Sequence, residues 1–134
     1  MKKSTVVATF HSDVETVWNI VTNNSVFGWR SDLSKITVSD DGKCFSEFAK
    51  NDFETEFVIT QKIPYERYEF DIKNKNMSGH WVGIFSREGT GTRIEFTEEV
   101  SVANPIMNLF IDSYMKKQQS VYISDLRKAL GEKN

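Results

Sequence analysis

Between Leu33 and Val102 apolar and polar residues alternate with a period of two, and turn-forming residues cut the runs at regular intervals. The cuts fall at Asp40-Asp41-Gly42, Asn51-Asp52, Ile63-Pro64, Lys73 to Asn76, and Glu88-Gly89-Thr90-Gly91. This pattern predicts six short strands paired in sequence as an antiparallel meander. A sheet with one apolar face needs one covering layer.

The flanks supply a further strand and the cover. Thr5 to Phe10 is β-rich and reads as a first strand. Ser12-Asp13-Val14-Glu15 fits a capping box with Ser12 as N-cap, and Val14, Val17, Trp18 and Val21 follow at helical spacing. Asn23-Asn24-Ser25 ends that helix, and a second short one is expected through Val26, Phe27 and Trp29. Near the C-terminus Asn104 is a good N-cap, Pro105 a good first helical residue, and Gly131 a terminator. The helix between them would be roughly 39 Å long at 1.5 Å per residue, enough to cross the sheet.

Hairpin parity assigns the faces, because residues directly opposite one another share a face. An even loop at Glu88 to Gly91 places Phe85 opposite Ile94, Gly83 opposite Phe96 and Trp81 opposite Glu98. Working outward, Phe70 falls opposite Trp81 and Ile59 opposite Phe70. A two-residue loop at Asn51-Asp52 sets Ser46 opposite Phe57 and Cys44 opposite Ile59. A three-residue loop Asp40-Asp41-Gly42, with Gly42 in the left-handed region, keeps Ile36 and Val38 on the same face. That face then carries Ile36, Val38, Phe48, Phe57, Ile59, Phe70, Ile72, Trp81, Phe85, Ile94, Phe96 and Val100. Most of the charge lies on the other, with Phe45, Val82 and Ile84 as apolar exceptions that offer a protein partner or a second copy of the chain a weak contact.

At 134 residues, 39% hydrophobic and 27% charged, the chain has the size and composition of a single domain spanning 1–134. A net charge of -2 argues against nucleic acid as a partner. The short run Val6-Val7-Ala8 is neither a signal-peptide core nor a membrane span, so a cytoplasmic location is expected. One cysteine allows no intrachain disulfide. Parity puts that residue, Cys44, inside as a small core side chain. His80 falls on the outer face and His11 beside a helix cap. With no metal-ligand spacing, neither a metal nor another cofactor is expected. Gly89-Thr90-Gly91-Thr92 precedes a strand and lacks the lysine of a phosphate loop, so it is a turn.

The order strand, two helices, six-stranded meander, long helix resembles the helix-grip, or START-like, superfamily, which includes the birch-pollen allergen, lipid-transfer domains and polyketide cyclase/dehydrase-like proteins. The likeness covers nearly the whole chain. It is carried locally by Val17-Trp18-Asn19-Ile20-Val21, by Trp29-Arg30-Ser31-Asp32-Leu33, and by Gly91-Thr92-Arg93-Ile94-Glu95-Phe96-Thr97-Glu98-Glu99. Arg30-Ser31 stands where relatives often have a proline after the tryptophan. The resemblance implies an α+β fold, a curved seven-stranded antiparallel sheet around a long C-terminal helix, with a cavity between them. Some relatives bind chaperones or ribosomes, which adds protein interaction as an alternative role.

The residues expected to line the cavity are Trp29, Phe48, Phe57, Phe70, Trp81, Phe96, Phe110 and Tyr114, with Glu98 as the inward carboxylate. A small, mostly apolar, lipid- or polyketide-like molecule is the implied ligand. Burying about 250 Å² of it would yield about 6 kcal/mol gross at roughly 25 cal/mol per Å². Association costs then leave micromolar or weaker binding. Glu98 beside Trp81 should have a raised pKa from desolvation, which makes it the candidate acid or base of an enzymatic alternative, with Tyr114 as donor. Many pocket formers against a single candidate carboxylate favour binding.

Overall fold

The structure is a computed structural model and describes residues 1–133. Strand β1 (Lys2–Phe10) leads into helix α1 (Val14–Thr22). Strands β2 (Leu33–Val38), β3 (Cys44–Ala49), β4 (Glu54–Ile63), β5 (Arg67–Lys73), β6 (Met77–Glu88) and β7 (Gly91–Val102) follow, then helix α2 (Pro105–Ala129). The sheet order is β1-β7-β6-β5-β4-β3-β2, all pairs antiparallel, so the meander is unbroken and β1 closes on β7.

Helix α2 begins where expected. Asn104 accepts hydrogen bonds from the Ile106 and Met107 amides, Pro105 opens the helix, and Gly131 at φ 72 closes it. Helix α1 is capped differently. Asp13, not Ser12, accepts from the Thr16 amide at 2.8 Å. The Ser12 amide and hydroxyl donate instead to Glu132, at 3.0 and 2.7 Å. A carboxylate is the stronger complement to a helix N-terminus, and the Ser12 donors are already engaged. The expected second short helix is absent among the described residues. Residues 23–32 form turns, held to α2 by Asp125, whose Oδ2 accepts from the Ser31 amide at 2.7 Å and the Ser31 hydroxyl at 2.8 Å.

Three hairpins depart from the expected loops. Lys50, Asn51 and Asp52 form a three-residue connection with Asp52 at φ 67, so Phe45, not Ser46, lies opposite Phe57. The β2–β3 loop has four residues, 40–43, with Gly42 in the left-handed region as expected. Each change shifts the register by one, and together they invert β3 alone. Phe45, Glu47 and Ala49 turn inward, while Cys44 and Phe48 turn out. Ile36 and Val38 remain on the expected face because the two shifts cancel. At Pro64 the loop is also three residues long, with Tyr65 at φ 67, but an irregularity between Ile59 and Gln61 restores parity and leaves Ile59 opposite Phe70. The β5–β6 and β6–β7 registers are as read from the sequence.

The core gathers between α1, the C-terminal half of α2 and the concave face of β5 to β7, around Val17, Trp18, Phe85, Ile94, Phe96 and Leu126. A second cluster, Phe45, Phe57 and Ile72, lies towards β3 and β4. Helix α2 packs chiefly on β1 and β7. The far half of the concave face is therefore not fully covered, and a cavity opens there.

Candidate functional site: an aromatic cavity with a buried ionic floor

The cavity has a volume of about 230 Å³. Its walls are a ladder of rings contributed by successive strands. Phe45 stacks on Phe57 at 4.7 Å, Phe57 meets Phe70 edge-on at 5.1 Å, and Phe70 stacks on Trp81 at 4.7 Å. Phe96 follows at 4.7 Å from Trp81, and Tyr122 of α2 meets Phe96 at 6.0 Å. Rings at 4.5–7 Å in stacked and edge-to-face arrangements attract one another, so the ladder is a stiff wall. Gly83 makes room for it: a Cβ there would lie 2.5 Å from the Trp81 ring and 3.1 Å from Phe96.

Of the expected lining residues, Phe57, Phe70, Trp81, Phe96, Glu98 and Tyr114 face the cavity. Three do not. Phe48 sits on the outer face under the Lys35 ammonium, a consequence of the β3 inversion. Trp29 stands behind the wall, edge-on to Tyr122 at 5.3 Å. Phe110 lies one turn before Tyr114 on α2 and is 66% exposed, beside exposed Ile106 and Leu109. Phe45, expected to form an outward patch with Val82 and Ile84, is instead buried.

The polar floor was mostly hidden from sequence reasoning. Arg30 Nε and Nη2 donate to Asp32 at 3.1 and 3.2 Å, and its Nη1 and Nη2 donate to Glu47 at 3.3 and 3.5 Å. The guanidinium carbon also lies 4.8 Å from the Tyr122 ring centroid. Burial alone would lower the Arg30 pKa, but Glu47, Tyr122 and Asp32 outweigh it and hold the group charged. Burial pushes the Glu47 carboxyl above its usual range, and Arg30 opposes the rise. Only an Asp tolerant of positive φ at position 52 signalled in the sequence that β3 could turn Glu47 inward.

Glu98 is where parity placed it, opposite Trp81 and lining the cavity. Its carboxyl is pushed up to about 7, first by burial and then by the Glu47 charge. Tyr114, half-exposed at the rim, has its hydroxyl pKa raised by burial and by Glu98, and Tyr122 is raised by burial. Both phenols are therefore protonated donors at neutral pH. Among the described residues no cluster of metal-ligating side chains is present, and no helix is long and apolar enough to cross a membrane.

No family model matches the sequence, and neither does any curated protein. Solved structures do match in shape. A START superfamily protein from Mycobacterium smegmatis is 9% identical over 95% of each chain, with a TM-score of 0.82. This chain has the START-like, helix-grip fold. A conserved protein from Geobacillus kaustophilus aligns at TM-score 0.84 with 10% identity, over 97% of this chain and 95% of that one. A protein from Mesorhizobium loti aligns at TM-score 0.79 with 14% identity, over 97% of both chains. Identities this low establish the START-like fold and leave the chemistry to the side chains.

Proposed function

We propose that the protein binds a small, mostly apolar molecule in the cavity between the sheet and α2. The supporting observation is the unfilled space itself, bounded by Phe45, Phe57, Phe70, Trp81 and Phe96 while the neighbouring core is closely packed. Protein interiors normally leave few voids larger than a water molecule. A volume of about 230 Å³ lies just under the ~300 Å³ at which common small-molecule sites begin. The ligand is accordingly of the size of one or two fused rings or a short chain. Apolar compounds of that size should raise the melting temperature, and Phe96→Ala should weaken the effect. A melting temperature unmoved by the whole panel, with native mass spectrometry finding only the polypeptide, would defeat this reading.

A second reading is acid–base catalysis on such a ligand, with Glu98 as the proton carrier and Tyr114 as a donor. Its support is a carboxyl titrating at about 7 inside a ligand-sized space. It requires turnover that collapses in Glu98→Gln while circular dichroism shows the fold retained.

A further inference from the structure

We propose that the cavity selects a ligand bearing a protonated amine on its apolar body, and that it rejects carboxylates. This deepens the binding reading above and rests on it. Three carboxylates, Asp32, Glu47 and Glu98, line the space, against Arg30 as the one cationic side chain among the described lining residues. Arg30 is already committed to carboxylates. Of the five N–H donors of a guanidinium, four are engaged by the contacts to Asp32 and Glu47, and Tyr122 covers its face. An anionic ligand would therefore meet an excess of carboxylates and a cation whose charge is largely paired within the protein.

Glu98 stands in the opposite condition. Burial and Glu47 both act against its ionisation, and no protein donor is among the influences on it. Trp81 is its direct cross-strand neighbour, and Phe70 and Phe96 flank that ring. A carboxylate beside aromatic faces is the chemistry that recognises an organic cation, because the charge pairs with the carboxylate and the rings attract it through their quadrupoles. The ligand nitrogen supplies the donor that Glu98 lacks.

The titratable and charged groups that line the cavity with Glu98 are Glu47 from β3 and Tyr114 from α2, which interact with it electrostatically, and Arg30, Asp32 and Tyr122. The Glu98 carboxyl, pushed up to about 7, changes charge near neutrality, and the raised Glu47 carboxyl would act in the same direction. Amine binding should tighten as pH rises from about 6 to about 8, by up to about tenfold for a group that titrates near 7.

The test is isothermal titration with four probes sharing one ring system: naphthylmethylamine, naphthylmethanol, methylnaphthalene and naphthoate. Neither charged probe changes its charge between about pH 6 and about pH 8, so a pH effect on the unmodified protein reports the site. The amine should bind at least about tenfold more tightly than naphthoate near pH 8. That margin should shrink towards pH 6 and in Glu98→Gln. Naphthoate binding as tightly as the amine, or a margin indifferent to both pH and Glu98→Gln, would overturn the inference while methylnaphthalene binding upheld the pocket. If not even methylnaphthalene binds, pocket and preference fall together.

Discussion

Trp81 and Glu98 are direct cross-strand partners on β6 and β7, so an indole ring and a carboxyl stand side by side on the concave face. Burial first, and then the Glu47 charge, push the carboxyl up to about 7. That one pairing links the fold to the chemistry of the cavity, because it sets a titratable group beside aromatic rings.

Glu98 should make the protein less stable as pH rises. Its native pKa is raised, so between the ordinary value of 4.5 and about 7 the unfolded chain releases a proton that the native state retains. Stability is lost across that window, by at most roughly 3–4 kcal/mol, because each pH unit between the two values contributes about 1.4 kcal/mol. Glu98→Gln should therefore match the wild type near pH 4 and melt several degrees higher near pH 8, as read by circular dichroism. An equal loss in the variant would show that another group carries the dependence.

Arg30 should be costly to remove alone. Arg30→Met leaves Glu47 and Asp32 without their cation; stripping one partner from a fully buried pair costs about 3–5 kcal/mol, and the loss here should be somewhat smaller because the three side chains are only partly buried. Arg30→Met combined with Glu47→Leu should recover much of that loss in urea denaturation. A single variant as stable as the wild type would mean that water solvates the floor.

Gly83→Ala should destabilise by about 1–3 kcal/mol, the usual range for overpacking. The added methyl would lie 2.5 Å from Trp81, and the ring must move. Tryptophan near-ultraviolet circular dichroism should change together with the melting temperature. An unchanged spectrum would contradict the packing described.

His80 offers a separate dependence on the outer face. Its ring nitrogens lie 2.7 Å from Asp71 Oδ1 and 2.8 Å from Glu69 Oε1. Burial would lower its pKa, but these two hydrogen bonds and charges raise it above the ordinary 6.5. A raised native pKa contributes stability fully below the unfolded value and loses it as pH rises through the native one. His80→Gln should thus be destabilising near pH 5.5 and close to neutral near pH 9. An NMR titration of the ring below 6.5 would refute the assignment.

Which parts of this were legible from sequence follows from the range of the interactions. Trp81 opposite Glu98, and Gly83 opposite Phe96, could be read because the two-residue turn at Gly89-Thr90 is encoded next to the strands it joins. The limits of α2 could be read because Asn104, Pro105 and Gly131 act on their own backbone neighbours. Strand β3 could not, since one extra residue in a loop reverses every side chain beyond it. Asp52 in the left-handed region was enough to exchange Phe48 for Phe45 and to bring Glu47 inside.

The sequence by itself determined the period-two strands, their order, the long capped helix and an inward Glu98, all of which rest on local propensity and alternation. The tertiary structure decided the ionic floor. Arg30 meets Glu47 across 17 positions of chain, and Ser31 meets Asp125 across 94. Nothing in local sequence encodes such meetings. They arise because buried charges must find partners, and only the folded arrangement of loop, strand and helix determines which partners are within reach.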